Sequence, residues 1–146
     1  MISKFPKKLK FKKTFRRRIK NNSINLNPKS TNLQFGSAGI RSLSCCKIRF
    51  KQLEASRRVV LRLCKKRTKI WINPVMDIPL TARSFESRMG KGKGKVKYWC
   101  GNVKKFELLF EVDNLVFTKS KKILKKLMSK IPIRSNIIFR SKNYIQ

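Results

Sequence analysis

The chain has 146 residues, of which 39 are Lys or Arg and 6 are Asp or Glu, for a formal net charge of +33. A compact chain with that charge repels itself, so the composition calls for a polyanionic partner such as nucleic acid rather than a small acidic ligand. Histidine is absent, which excludes histidine-based acid–base and triad chemistry, and no apolar run approaches the roughly 20 residues needed to cross a bilayer.

An apolar fraction of 40% supports one domain with a modest core. Fifteen Lys and Arg precede the first carboxylate, Glu54, and Asn, Ser, Pro and Lys crowd residues 20–32. Residues 1–34 therefore read as a basic extended arm that orders on RNA, 35–141 as the globular domain and 142–146 as a short tail. The competing reading of the arm is a mitochondrial presequence, which is also Arg-rich and acid-poor. Against it, Lys7-Lys8-Leu9-Lys10-Phe11-Lys12-Lys13 interleaves apolar residues with charge and shows no cleavage-site pattern.

Leu33 to Leu43 mixes strand formers with two glycines and predicts a bent or bulged strand. Phe50 to Lys66 predicts a basic amphipathic helix with Leu53, Val60, Leu61 and Cys64 on one side. Lys69 to Asn73 predicts a short strand stopped by Pro74 and Pro79. Val96, Tyr98 and Cys100, then Phe106, Leu108, Phe110 and Val112, alternate with other residues, which predicts two strands joined as an antiparallel hairpin, although Lys104-Lys105 is a poor turn pair. Phe117 to Lys130 predicts a second basic helix with Thr118 as N-cap, ended by Pro132, and Asn136 to Phe139 a last strand. The sum is an α+β domain with antiparallel hairpins and two amphipathic helices behind a basic arm.

The segment Arg88-Met89-Gly90-Lys91-Gly92-Lys93-Gly94 places cations on permissive backbone, and Lys95 follows. Glycines admit positive φ and let backbone N–H groups approach an anion, so the loop is suited to phosphate. Its G-x-G-x-G spacing matches neither nucleotide-binding fingerprint, and a strand follows where those need a helix. A solvated linker is the bland alternative. Glu107 and Glu111 share one strand face and read as a solvated face or as partners of lysines. Trp71, Tyr98, Trp99 and Phe110 read mostly as core. The four cysteines, Cys45, Cys46, Cys64 and Cys100, lack a C-x-x-C pair and read as free thiols in a reducing compartment, with Cys64 and Cys100 as small buried residues. No cofactor is expected.

Taken together, Phe35-Gly36-Ser37-x-Gly39, Gln52-Leu53-Glu54-Ala55-x-Arg57-Arg58, Lys69-Ile70-Trp71-Ile72 and the Arg88–Gly94 loop with Tyr98-Trp99 resemble large-subunit ribosomal protein L-sixteen. The likeness continues through Leu109-Phe110-Glu111-x-Asp113 and Lys130-Ile131-Pro132-Ile133-Arg134, and the arm from Pro6 to Lys13 resembles the family's own. The resemblance implies an α/β-hammerhead-like fold and a non-enzymatic role in the large ribosomal subunit, bound to rRNA near the aminoacyl-tRNA site and the peptidyl transferase centre. Its partners would be rRNA, A-site tRNA and neighbouring ribosomal proteins. Carried over, the RNA-binding residues would be Lys7, Lys8, Lys10, Phe11, Lys12 and Lys13 of the arm, Arg57 and Arg58 of the helix, and Arg88, Met89, Gly90, Lys91, Gly92, Lys93, Gly94 and Lys95 of the loop.

The chain departs from the family at Cys45-Cys46, at Arg49 in place of a capping Thr, at Lys104-Lys105 in place of a Pro-Gly turn, and around Phe117-Thr118-Lys119, where acidic residues are missing. With the richness in Lys, Asn, Ile and Phe, these departures resemble a mitochondrial member, which implies the mitochondrial matrix as its location, with a plastid or bacterial origin as the alternative. Rival functions are a general basic nucleic-acid-binding or RNA-chaperone protein and a phosphate-binding enzyme.

Overall fold

Seven strands pair into two antiparallel sheets among the described residues, and each sheet packs against one of two helices that contact each other. In the computed structural model the described residues are 6, 9–15, 19, 28–64, 68–114 and 117–140. They form α1 (Pro28–Thr31), β1 (Ala38–Ser42), β2 (Cys46–Arg49), α2 (Phe50–Leu63), β3 (Lys69–Ile72), β4 (Ile78–Ala82), β5 (Lys95–Val103), β6 (Leu108–Asp113), α3 (Phe117–Met128) and β7 (Ser135–Phe139). One sheet has the order β3-β6-β1-β7 and the other β2-β5-β4. The α+β reading holds: α2 and α3 pack on each other, α2 against β2 and β5, and α3 against β1 and β7.

The core is a single cluster in which Ile40 of β1, Ile48 of β2, Leu53 and Val60 of α2, Leu109 and Phe110 of β6, and Leu124 and Leu127 of α3 are all fully buried. It therefore unites both sheets and both helices. The predicted bend in the first strand appears as a register irregularity between Ile40 and Arg41.

Several predicted features differ. The strands 95–103 and 108–113 do not form a hairpin, because they belong to different sheets: β5 pairs with β2 and β4, whereas β6 pairs with β1 and β3. The true hairpin is β4–β5, and the glycine loop connects it. Pro79 does not stop a strand but lies within β4, opposite Trp99. It is tolerated because β4 is an edge strand, where a missing N–H costs no ladder bond. Strand β2 was not expected, because the alternation of Cys46-Lys47-Ile48-Arg49 spans only four residues and runs straight into α2. Helix α2 ends at Leu63, with the Cys64 N–H bonded to the Val60 carbonyl, so the predicted extension to Lys66 reaches residues outside the described ones. Thr118 is not a cap, since α3 already includes Phe117. The first turn of α3 holds no acidic residue, as the sequence indicates.

Glu111 is the largest correction. Its side chain is fully buried, and its Oε2 accepts hydrogen bonds from the backbone N–H groups of Gln34 (3.0 Å), Phe35 (2.7 Å) and Gly36 (2.9 Å). It faces neither solvent nor lysines. It fastens the segment that leads from the arm into β1, and the Phe35 ring stacks on Trp71 beside it at 5.7 Å. Glu107, by contrast, bonds locally, with its Oε2 accepting from the Lys104 N–H at 2.7 Å. Phe110 is core as expected, whereas Trp71, Tyr98 and Trp99 are half-buried. Cys100 is buried, and desolvation pushes its thiol pKa up, while Cys64 is half-buried against the core. All four cysteines are free thiols.

Candidate nucleic-acid interface

The β4–β5 hairpin projects the glycine loop away from the core, and each glycine there has a separate physical job. Gly90 and Gly92 have φ of 93° and 72°, and Lys91 between them is also left-handed at 51°. Three successive left-handed residues form a turn that an L-side chain at either glycine position would strain. Open space surrounds both glycines, so their requirement is conformational alone. Gly94 is different, because a Cβ there would lie 2.4 Å from the Ala82 carbonyl oxygen, and it lets β5 start close against the end of β4.

Arg88, Met89, Gly90, Lys91, Gly92, Lys93 and Lys95 are all exposed. Arg83, where the chain leaves β4 at the mouth of the loop, donates from Nη2 to the Gly92 carbonyl at 3.2 Å and braces the turn. The arm meets the loop. Lys13 Nζ donates to the Lys93 carbonyl at 3.0 Å, Lys93 Nζ donates to the Thr14 carbonyl, and the Lys93 ammonium sits 5.3 Å from the centre of the Phe15 ring. A hollow of about 740 Å³ opens between them. Its wall holds six cations, Lys13, Arg83, Lys91, Lys93, Lys95 and Lys97, and no carboxylate. Cations left without counter-charge around a concave surface raise the local concentration of anions, and backbone N–H groups on a glycine turn add short-range donors.

Upstream, the arm crosses the outer face of the three-stranded sheet, where Phe11, Lys13, Thr14 and Phe15 line a second hollow with Lys47, Ile78 and Asn102. Phe11 is 66% exposed and Phe15 is 87% exposed, so neither ring is used to hold the arm down. Lys10 lies over the Phe11 ring at 5.6 Å. The arm residues Lys10, Phe11, Lys12 and Lys13 are thus exposed alongside the hairpin, while Lys7 and Lys8 lie outside the described residues.

Arg57 and Arg58 are placed elsewhere, on α2. Arg57 holds Glu54 with both Nε (2.8 Å) and Nη2 (2.7 Å), and Arg58 Nε reaches the same carboxylate at 3.1 Å. These bonds, Arg57 first, draw the Glu54 pKa down to about 2 from an ordinary 4.5. Arg57 is therefore committed to an intramolecular pair, while Arg58 remains largely exposed. Arg83, Lys97, Thr14 and Phe15 are contributors that sequence reasoning missed. Recognising β4 as the edge partner of β5 would have set Arg83 and Lys97 at the mouth of the loop.

Among the described residues no group of three or more Cys, Asp or Glu is arranged to hold a metal ion, and no helix is long and apolar enough to cross a membrane. A family model described as ribosomal protein L16p/L10e matches residues 6–138. The protein named large ribosomal subunit protein uL16 of Sphingopyxis alaskensis is 36% identical over 135 residues, 92% of this chain and 92% of that protein. Those of Caulobacter vibrioides and Chelativorans sp. are 37% and 36% identical over the same length, covering 92% and 96% of the respective relatives. An architecture of two antiparallel sheets and two basic helices, a cationic glycine hairpin met by a basic arm, and a match that spans nearly the whole length agree, and the chain belongs to the ribosomal protein L16p/L10e family.

Proposed function

We propose that this chain is a structural, non-enzymatic constituent of the large ribosomal subunit, bound to rRNA and to neighbouring ribosomal proteins, and that its arm and glycine hairpin act together at the aminoacyl-tRNA site. The observation that carries the site is the pair of crossed bonds, Lys13 Nζ to the Lys93 carbonyl and Lys93 Nζ to the Thr14 carbonyl, which turns two separate basic segments into one cationic prong. Its mechanism is phosphate neutralisation by Lys10, Lys12, Lys13, Arg88, Lys91, Lys93 and Lys95, with the left-handed turn setting how closely backbone can approach RNA. Residues 1–34 are the RNA-contacting arm, Lys7 and Lys8 included, and 35–141 the domain that positions it. Arg58 is a phosphate contact on α2, with Arg57 supporting it through Glu54. The chain's location is the mitochondrial ribosome, a reading supported by its Lys, Asn, Ile and Phe richness and its departures at Cys45-Cys46 and Lys104-Lys105.

The test uses purified large subunits carrying Arg88→Ala or Gly92→Val. Both residues are exposed and outside the core, so subunits should assemble with the variant present in stoichiometric amount. Dipeptide formation with A-site tRNA should slow several-fold. Normal rates with full incorporation would reduce the loop to a solvated linker. Cell fractionation with sedimentation of the organellar large subunit tests the location.

A further inference from the structure

Three basic hollows on this molecule share their walls, and the one in the middle is aromatic. It measures about 580 Å³ and is lined by Arg49, Phe50, Lys51, Lys97, Tyr98 and Trp99, with Ala82 at its edge. Ala82 and Lys97 also line the glycine-loop hollow. Phe50 and Lys51 also line a groove along α2 that continues past Arg58 and Arg62. A net cationic path therefore runs from the hairpin, through the aromatic hollow, onto the helix, where the one carboxylate in the groove wall, Glu54, is taken up by Arg57 and Arg58. The hollow's wall carries three cations and no carboxylate.

Within it, the Arg49 guanidinium stands over the Tyr98 ring, 4.5 Å from its centre. Arg49 is exposed, and Phe50, Tyr98 and Trp99 are half-buried. A guanidinium supported by an aromatic ring offers a planar cationic surface, and bases stack on both kinds of plane. A regular RNA duplex keeps its base faces stacked inside and presents phosphate, sugar and base edges, so it offers no face to these rings. A single unstacked nucleotide can use rings and cations together.

We propose that this hollow is a second RNA site, which receives one unstacked nucleotide of an RNA strand: its base stacks on the Arg49–Tyr98 pair, and its flanking phosphates lie on Lys97 toward the hairpin and on Lys51 toward α2. The proposal rests on the RNA-binding reading above but assigns residues outside the arm and loop.

The full chain is titrated by fluorescence anisotropy with two labelled probes, an oligouridine, whose bases stack little on one another, and a blunt, fully paired RNA duplex. Tyr98→Leu removes the ring and should lower oligouridine affinity roughly tenfold, the scale of losing one base–aromatic stack. Duplex affinity and the salt dependence of both should stay as in the wild type, because no phosphate contact is removed. Arg49→Lys keeps the charge but not the plane and should give the same selective loss to a smaller degree. It also carries the test if Tyr98→Leu fails to fold, since the helix cap at this position uses the Arg49 backbone N–H. Unchanged oligouridine binding, or an equal loss on both probes, overturns the site while leaving RNA binding intact. Failure of the wild type to bind either probe overturns both readings.

Discussion

Replacing Glu111 tests how the arm is tied to the domain. Its Oε2 receives three backbone N–H groups at 2.7–3.0 Å, and Asn73 Nδ2 approaches Oε1 at 3.4 Å. A hydrogen bond to a charged acceptor contributes about 1.5–3 kcal/mol net. Gln34 and Phe35 are exposed, so water can replace the carboxylate at their N–H groups, and only part of that contribution is lost. Gly36 is buried, and its N–H would be left without a partner at about 1–3 kcal/mol. One full and two partial losses put Glu111→Ala at about 3–5 kcal/mol, a large share of the roughly 5–15 kcal/mol that holds an ordinary domain together. Glu111→Gln keeps an acceptor oxygen but not the charge, and since charge-assisted bonds are about twice as strong as neutral ones it should cost about 1–2 kcal/mol. Urea unfolding of the full chain at moderate salt reads both values, provided the slopes match. Hydrogen exchange at Gln34, Phe35 and Gly36 should accelerate far more than exchange in α2. A loss below about 1 kcal/mol for Glu111→Ala, or unchanged exchange at 34–36, would refute the assignment.

Gly94→Ala should disrupt the start of the β4–β5 ladder, because the added methyl meets the Ala82 carbonyl, whereas Gly90→Ala should cost only about 1 kcal/mol of left-handed strain; thermal melts and amide exchange at Ala82 and Lys95 separate the two. Glu54, whose folded pKa is depressed to about 2, adds stability that is fully present above its ordinary 4.5 and is lost as pH falls through that window. Because Arg57 and Arg58 are partly exposed, that contribution is discounted to about 1 kcal/mol, so Glu54→Gln should be less stable than wild type at neutral pH and indistinguishable near pH 2 in urea titrations.

The sequence showed the helices and the loop because their signals are local. The 3.6-residue periodicity of α2 and α3 and the glycine–lysine run need no knowledge of the rest of the chain. The sheet order was not legible for the opposite reason. Strands β5 and β6 lie adjacent in sequence and each alternates, which ordinarily means a hairpin, but pairing choice depends on β2, only four residues long, and on an edge strand disguised by Pro79. Glu111 was misread for a related reason: a carboxylate alternating with apolar residues on a strand looks solvated until the chain at 34–36 is seen to turn its N–H groups inward. At the candidate interface, the basic character of Lys10 to Lys13 and of Arg88 to Lys95 is plain in the sequence, and their junction through Lys13 and Lys93 is not, because it spans 80 residues of sequence.

The turn that separates β5 from β6 is held by side chains. Lys104-Lys105 has poor turn chemistry, yet the chain reverses there with Phe106 at a φ of 66°. The Lys105 N–H donates to Cys45 Sγ at 3.1 Å. Glu107 takes the Lys104 N–H, and Ser42 Oγ donates to the Lys104 carbonyl at 2.6 Å. Side chains thus supply what a Pro-Gly pair would supply by backbone preference. This turn carries the chain from the sheet that bears the glycine hairpin to the sheet in which Glu111 receives the N–H groups of residues 34–36, so the side chains that close it also fix where one sheet hands over to the other.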